Sequence, residues 1–373
     1  MKNKINLTIL LSLMLLGLSC TKEKTDKDDK KNKSNITVLK ISASWASSFF
    51  IDDKNNLWSC GNNSNGQLTD GTTTKMDKPI KTITNISQVS SGERHTLILK
   101  TDGSLWVVGA NDFGQLGKGD NNNLTQAQKI AENIIGIGTG KSFSFFIKSD
   151  KTLWAMGKNS FGQLGNGNDD DQKSPIQIMS NVKAVSGGTS HSLILKTDGT
   201  LWSCGHNYNY QLGNGNDINQ KTPIKVASNV VQIQASNQFS LYVNTNDELW
   251  GVGNNGFGQV KNNGGFTLHN FEKVMTNVHS FSTGDAQTFI LKKDATLWGS
   301  GLNDNGQLGT GDYSNPSSYI QLATDVKTVT AGYYHAIIIK NDGTVLSTGS
   351  NGSGQLGRGS GFSDANKFEQ IKF

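Results

Sequence analysis

The sequence predicts an all-β fold, a seven-bladed β-propeller of four-stranded antiparallel blades, because several residue types recur at one fixed spacing. Six of the seven tryptophans lie 48 residues apart, and a leucine takes the seventh place. A glutamine and a glycine repeat the same step seven times without a gap. Units of about 40 to 50 residues with four short strands each are typical of propellers. The positions are Trp58, Trp106, Trp154, Trp202, Trp250, Trp298 and Leu346, then Gln67, Gln115, Gln163, Gln211, Gln259, Gln307 and Gln355, and Gly61, Gly109, Gly157, Gly205, Gly253, Gly301 and Gly349.

The repeat sets the domain boundaries. Seven units fill residues 36–373, starting near residues 36, 84, 132, 180, 228, 276 and 324. The chain has 43 glycines and only 4 prolines, a balance that suits many short strands joined by turns. We therefore expect one domain rather than the two or three that 373 residues could form.

The second unit illustrates the four strands. Ile86 and Val89 belong to the first strand, and residues 95–100 alternate into the second. Residues 101–103 form a tight hairpin turn in which glycine supplies the positive φ. The third strand is predicted over 104–108, and the fourth over 78–83 in the first unit and 128–131 in the second. The repeated tryptophans are expected to pack between blades.

The first 19 residues are predicted to be an export signal. Lys2 and Lys4 precede an apolar run from Leu7 to Leu18, which is too short to span a membrane. The run ends before Ser19-Cys20, a pattern similar to a lipoprotein cleavage site, so Cys20 is predicted to be lipidated. A plain cleaved signal is the alternative, in which case the protein is released.

Residues 20–35 are predicted to be a flexible charged tether. After Cys20 the segment holds six lysines, four acids and no apolar residue, so it cannot bury enough surface to fold. Lys27-Asp28-Asp29 is similar to a short signal that sends some lipoproteins to the outer cell surface. We expect a location in the cell envelope, with a lipid anchor in the outer membrane and possible surface exposure; secretion is the alternative.

The net charge of +5 comes mostly from the N-terminal residues. Without the signal and the tether, the chain carries a net charge of only +1. Binding to nucleic acid depends on clustered basic charge, so we expect no nucleic-acid partner. The membrane would be contacted only through the lipid anchor at the N-terminus.

The stretches 109–119 and 91–97 resemble the repeat of the regulator-of-chromosome-condensation family, and the resemblance covers all seven units. It implies a closed seven-bladed propeller, often latched by strands from both chain ends. Phe368–Phe373 is strand-like and could complete the circle. The fifth unit departs most, because Val260–Asn263 replaces the usual Leu-Gly-x-Gly, so an irregular loop is expected there.

Residues able to do chemistry mostly follow the repeat. His95, His191 and His335 share one position; three histidines can bind zinc, but we favour a structural role, since the resemblance implies internal hydrogen bonds for this histidine. Cys60 and Cys204 are three units apart and too distant to bridge, so both are predicted to be buried free thiols. We find no catalytic set and no phosphate-binding loop, and expect no cofactor and no metal.

The places where the units differ indicate a binding surface. In an up-and-down blade, the loop between strands one and two and the loop between strands three and four lie on the same face, and both sets of loops vary here. Trp45 is the one tryptophan off the repeat spacing, and in the ring it neighbours Tyr333 and Tyr334. Such aromatics with nearby charges are typical of binding hot spots. Alternatively, Trp45 packs on the tether or on a neighbouring loop. The predicted partner-binding residues are Trp45, Glu93, Arg94, Lys141, Asn237, Asp285, Tyr333 and Tyr334.

These observations favour a non-enzymatic binding scaffold, monomeric, that recognises a protein partner of unknown identity. One alternative is a propeller enzyme, a lyase or a hydrolase, with a site in the central channel. Another is an inhibitor of a secreted enzyme such as a β-lactamase. Nucleotide exchange on a small GTPase, the activity of the family's nuclear founder, is disfavoured because an exported chain would not meet one.

Overall fold

The computed structural model describes residues 36–262 and 265–373. These residues form seven four-stranded antiparallel sheets, each built from four consecutive strands, which confirms the predicted seven-bladed propeller. The predicted signal, Cys20 and the tether lie outside the described residues. In the described ranges, no helix is long and apolar enough to span a membrane.

The strands recur in the same order in every blade. The first strands are β1 Val38–Ala43, β5 Ile86–Ser91, β9 Ile134–Thr139, β13 Val182–Gly187, β17 Val230–Ala235, β21 Val278–Thr283 and β25 Val326–Ala331. The second strands are β2 Ser47–Asp52, β6 His95–Lys100, β10 Phe143–Lys148, β14 His191–Lys196, β18 Phe239–Asn244, β22 Gln287–Lys292 and β26 His335–Lys340. The third strands are β3 Leu57–Gly61, β7 Leu105–Gly109, β11 Leu153–Gly157, β15 Leu201–Gly205, β19 Leu249–Asn254, β23 Leu297–Gly301 and β27 Val345–Gly349. The fourth strands are β4 Met76–Ile83, β8 Leu124–Ala131, β12 Gln172–Met179, β16 Gln220–Ala227, β20 Thr267–Met275, β24 Ile320–Ala323 and β28 Ala365–Gln370.

The fourth strands are longer than the sequence pattern predicted. Strand β8 begins at Leu124, four residues before the predicted start, because Gly109 pairs with Leu124 across an irregularity in the register. The third strand of the same blade begins at Leu105 instead of Ser104. Irregularities of this kind interrupt the alternation of apolar and polar residues, so the sequence pattern does not reveal the part of the strand beyond the irregularity.

The two sets of variable loops share one face, as predicted. The backbone N–H that follows the third strand donates to the carbonyl of the first loop in the same blade, for example from Asn62 to Ala46 at 2.8 Å and from Ala110 to Arg94 at 2.8 Å. The hairpin turns between strands two and three lie at the other ends of those strands. Gly103 adopts φ +79° in one such turn.

The core lies between neighbouring blades. One cluster joins Leu97 and Leu105 of the second blade to Phe146 and Met156 of the third, and Trp154 packs against it. This confirms the packing role predicted for the repeated tryptophans. They are half-buried, however, and Lys148 Nζ lies 4.0 Å from the ring centroid of Trp154, so the lysine covers the ring's exposed side.

The ring closes by packing between the last and first blades. The sequence left open how the ring is latched; in the part of the chain that the structure describes, every sheet uses four consecutive strands, and none combines strands from both ends. The last strand ends at Gln370, and Phe373 beyond it packs edge-on against Phe50 and Trp58 of the first blade. The first described strand begins at Val38 and the last ends at Gln370, so both belong to the boundary between the seventh and first blades.

The closing interface repeats the contacts made between the other blades. The loop after the third strand reaches the fourth strand of the next blade, where Gly119 N–H donates to Lys173 at 2.9 Å. The same bond crosses the closure, from Gly359 N–H to the carbonyl of Asp77 at 2.8 Å. The seventh blade therefore meets the first through the same bond as the second meets the third.

The fifth-blade loop is irregular, as predicted. Asn255, the asparagine that recurs at this position in every unit, donates to the carbonyls of Lys261 and Gly265, both at 2.9 Å. Tyr319 of the next blade donates its hydroxyl to the Gln259 carbonyl at 2.9 Å and is buried. This tyrosine stands where three other blades have a proline, Pro79, Pro175 and Pro223, and it holds the altered loop in place.

Candidate functional site

The candidate site is the mouth of a central channel, which the first strands and first loops of all seven blades line. The cavity measures about 310 Å³. Six of the predicted partner-binding residues line it, each from a different blade: Trp45, Glu93, Lys141, Asn237, Asp285 and Tyr333. The first loops, which differ between units, therefore bring six different side chains to one mouth.

Small residues at the start of each first loop let the loops touch. At Gly92, an added Cβ would lie 2.6 Å from the Gly140 carbonyl oxygen of the next blade and 2.3 Å from the His95 ring. The loops therefore form a belt of backbone hydrogen bonds around the mouth. Glu93 N–H donates to the Lys141 carbonyl at 3.0 Å, and Tyr333 N–H donates to the Ser44 carbonyl at 3.2 Å. A belt of this kind fixes where the variable side chains stand.

The aromatic side of the mouth lies at the ring closure. The rings of Trp45 and Tyr333 are stacked, with centroids 3.9 Å apart and planes inclined by 25°. Tyr334 contacts Tyr333 edge-on at 4.7 Å. Trp45 therefore packs on a neighbouring loop, as the alternative interpretation proposed, and it also lines the channel. The two roles are compatible, because one face of the Trp45 ring packs on Tyr333 while the residue still lines the cavity.

A lysine joins the aromatic side to the acidic side. Lys141 Nζ lies 5.1 Å from the Trp45 ring centroid and 3.6 Å from Glu93 Oε2. The side chain of Lys141 is 38% exposed and that of Glu93 is 21% exposed. Both groups therefore remain accessible at the mouth while they contact each other.

Asp285 is the most enclosed carboxylate at the mouth. Asn237 Nδ2 donates to its Oδ1 at 2.6 Å. Burial raises the pKa of Asp285, although the neighbouring side chains of Tyr333 and Asn237 and the charge of Lys141 oppose the rise. Burial also raises the pKa of Tyr333, and the charge of Asp285 acts in the same direction.

Two of the eight predicted residues do not line the channel. Arg94 Nη2 lies 3.0 Å from Asp112 Oδ2, so its side chain is turned toward the outer loop of its own blade. Tyr334 contributes through its contact with Tyr333. Adjacent residues in an extended loop point in different directions, and the sequence could not tell which member of each pair faces the axis.

Sequence reasoning missed the wall of the channel. Below the mouth, hydroxyl groups of first strands bond across blades: Ser90 Oγ lies 2.9 Å from Thr139 Oγ1, and Thr330 Oγ1 accepts from Ala43 N–H at 3.2 Å. The available signal was a small polar residue in most first strands near their last position. It was overlooked because those residues follow the repeat.

A second group missed from the sequence is aromatic and lies on the outer loops. Phe161 and Tyr208 flank His206, with centroids at 4.6 and 4.7 Å, and Tyr210 stacks on His269 at 3.9 Å. Burial lowers the pKa of His206. Phe161, His206, Tyr208 and Tyr210 follow the third strands of their blades, whereas His269 lies in strand β20 of the next blade.

The repeated histidines bond between blades. The Nε2 atoms of His95, His191 and His335 each lie 2.9 Å from a serine hydroxyl of the next blade, at Ser144, Ser240 and Ser48. Burial lowers the pKa of each histidine to about 3, so the rings are neutral. The structural interpretation accounts for their contacts. Among residues 36–262 and 265–373, no cluster of three or more His, Cys, Asp or Glu could hold a metal ion.

The two cysteines of the propeller are free and buried, as predicted. Burial raises the pKa of Cys204 to about 12 and also raises that of Cys60. Neither thiol would ionise at neutral pH, so neither can act as a nucleophile there.

Comparison with known proteins fixes the family. A family model described as the RCC1-like domain matches residues 15–226, more than half of the chain. The chain belongs to the RCC1-like domain family. Two further segments of this RCC1-like chain, residues 230–259 and 326–355, match the regulator of chromosome condensation (RCC1) repeat. No curated protein matches the sequence.

Solved structures agree with the fold of this RCC1-like propeller. Yeast RCC1 (Prp20), crystallised bound to Kap60, is 18% identical with a TM-score of 0.76, covering 100% of this chain and 91% of that one. Prp20p from Saccharomyces cerevisiae, studied for its binding to Gsp1p and histones, is 19% identical with a TM-score of 0.75, and the match covers 92% of this chain and 89% of that one. Human WBSCR16 is 19% identical with a TM-score of 0.76, and the match covers 85% of this chain and 94% of that one. At these identities the likeness shows the fold alone.

Proposed function

We propose that this RCC1-like propeller is a non-enzymatic binding module that recognises a protein partner through the mouth of its channel. The observation that carries the proposal is the cluster at the mouth, in which six different side chains from six blades meet on a rigid ring. Tryptophan, tyrosine and charged residues are enriched in binding hot spots, and this cluster combines them.

The outer loops of the same face enlarge the surface that a partner could cover. Exposed aromatic rings stand there at Tyr208, Phe257, Tyr313 and Phe362. A standard interface takes roughly 20 to 30 residues from each partner, and the two sets of loops can supply them. Yeast RCC1 has been crystallised with the protein Kap60, which supports a protein as the class of partner here.

We also propose that the propeller acts as a monomer in the cell envelope, held by lipid on Cys20 through the tether. The support is the apolar run and the cysteine that follows it. Replacing Cys20 with serine should move the protein from the membrane fraction to the soluble fraction. Retention of the Cys20→Ser variant in membranes would exclude the lipid anchor.

The binding proposal is tested on the mouth aromatics. Crosslinking on intact cells, followed by mass spectrometry, would identify the partner, and its affinity for purified variants would then be measured by calorimetry. Trp45→Ala and Tyr333→Ala should each weaken binding by about tenfold or more, because each removes a hot-spot ring worth about 2 kcal/mol.

The matched control is Ile135→Ala, near the start of strand β9 and therefore at the end away from the first loops, where the side chain is 57% exposed and does not line the mouth. This variant should bind with unchanged affinity. Equal affinity of the wild type and both mouth variants, with folding intact, would exclude the mouth as the binding surface.

A further inference from the structure

The charges at the mouth do not balance. Two carboxylates, Glu93 and Asp285, face one ammonium group, that of Lys141, which pairs with Glu93. Among the described residues, no Lys or Arg nitrogen lies within 4.0 Å of the Asp285 carboxylate. Its direct hydrogen-bond partner among the described residues is the neutral amide of Asn237, at 2.6 Å.

A half-buried carboxylate with only neutral donors is incompletely compensated. Removing it from water disfavours the ionised form, which is why burial raises its pKa. A cation placed beside Asp285 would restore that balance. With Glu93 and Asp285 ionised and Lys141 protonated, these three groups carry a net charge of −1, so one more positive charge at the mouth would be stabilised.

The aromatic side of the mouth already receives a cation. Lys141 Nζ stands 5.1 Å from the Trp45 ring centroid, within the range of cation–π attraction. Tyr333, which stacks on Trp45, also accepts a backbone hydrogen bond from Asp285 N–H at 3.4 Å, so the aromatic rings and the carboxylate stand on adjacent loops. Lys141 thus acts as an internal cation at the edge of a site made of rings and carboxylates.

The size of the channel limits what can enter. A cavity of about 310 Å³ is at the small end of ligand sites, which run from about 300 to 1,000 Å³. Its wall carries hydroxyl groups such as those of Ser90 and Thr139, which can accept hydrogen bonds. The space suits one long polar side chain better than a folded element.

We infer that the mouth binds one arginine side chain of the protein partner, between the Asp285 carboxylate and the aromatic rings of Trp45 and Tyr333. Arginine fits better than lysine because its planar guanidinium can stack on a ring and donate to a carboxylate at the same time, and it is less strongly hydrated. The inference rests on the proposed function, whose partner it describes more closely.

The test uses N-acetyl-arginine methylamide as the probe and N-acetyl-citrulline methylamide, which is neutral and of nearly equal shape, as its control. Binding to the full chain is followed by the NMR signal of the Trp45 indole N–H, identified through a Trp45→Phe variant. The arginine probe should shift this signal in a saturable way, and the citrulline probe should bind at least about tenfold more weakly.

Two variants should act in opposite directions. Asp285→Asn keeps the shape and should weaken the arginine probe about tenfold, while Lys141→Met removes the internal cation and should strengthen it by a few-fold. Asp304→Asn, an exposed carboxylate on the outer loop of the same blade, is the matched control and should change nothing. A merely structural role for Lys141 would predict weaker binding on its removal.

The outcomes separate this inference from the proposed function. Equal binding of the two probes, or no effect of Asp285→Asn, would overturn the arginine site even if the partner still requires Trp45 and Tyr333. Saturable arginine binding with a partner that ignores the mouth variants would leave the cation site standing and remove the proposed function.

Discussion

At the scale of single residues, the buried histidines matter most for how the protein responds to acid. Each bonds through Nε2 to a serine of the next blade, and each is fully enclosed. Burial lowers the pKa of His95, His191 and His335 to about 3, below the ordinary value of 6.5. Between pH 6.5 and about 3, these histidines are therefore protonated in the unfolded chain but stay neutral in the folded protein.

We therefore expect the free energy of unfolding to fall as the pH drops below 6.5 toward 3. Each histidine can contribute up to about 1.4 kcal/mol per pH unit in this window. The aspartates of the hairpin turns, such as Asp102, also lower the free energy of unfolding when they take up protons. Because the pKa of Asp102 lies below 3.8, that effect begins only at lower pH. Urea unfolding at about pH 7 and about pH 5 measures the effect.

His95→Gln should reduce this loss of stability on acidification, and the sixth blade shows that glutamine fits, since Gln287 holds the position there. Exposed His279, replaced by glutamine, is the matched control. An unchanged difference between the two pH values in His95→Gln would contradict the assignment of the effect to this buried ring.

At the scale of strands and loops, the altered fifth-blade loop depends on one tyrosine of the sixth blade. Tyr319 is 7% exposed and donates to the carbonyl of Gln259 at 2.9 Å. Losing the donor would leave a buried carbonyl without that partner, a change worth about 1 to 3 kcal/mol.

Tyr319→Phe should therefore lower the free energy of unfolding by about 1 to 3 kcal/mol and speed hydrogen exchange in residues 255–262. Tyr313→Phe, on an exposed ring nearby, should change neither quantity. If both variants unfold at the same urea concentration as the wild type, the hydroxyl is not what fastens the loop.

The elements of the fold were predictable where spacing alone decides them. The second strand of the second blade, 95–100, was predicted to the residue, because it contains a short apolar run, Leu97–Leu99, and a glycine turn follows it. The start of strand β8 was missed by four residues, because the register between Gly109 and Leu124 is irregular. The alternation of apolar and polar residues along one strand does not show where its pairing with the neighbouring strand shifts.

At the scale of the whole molecule, the number of blades followed from the repeat, but the way the ring closes did not. Closure depends on Phe373 packing against the first blade, a contact across more than 300 residues that no local pattern encodes. The mouth was predictable in part. Differences between units indicated which loops to consider, whereas only the closed ring brings Lys141 to Trp45 from two blades away.

The central claim is that the face carrying the first loops, and not the face of the hairpin turns, recognises a protein. Hydrogen–deuterium exchange of the propeller, with and without its crosslinked partner protein purified separately, tests this most directly. The account predicts slower exchange at residues 44–46, 92–94, 140–142, 284–286 and 332–334, with the turns at 101–103, 149–151 and 197–199 unchanged. Protection of those turns, with the first loops exchanging at the same rate as in the free protein, would contradict it.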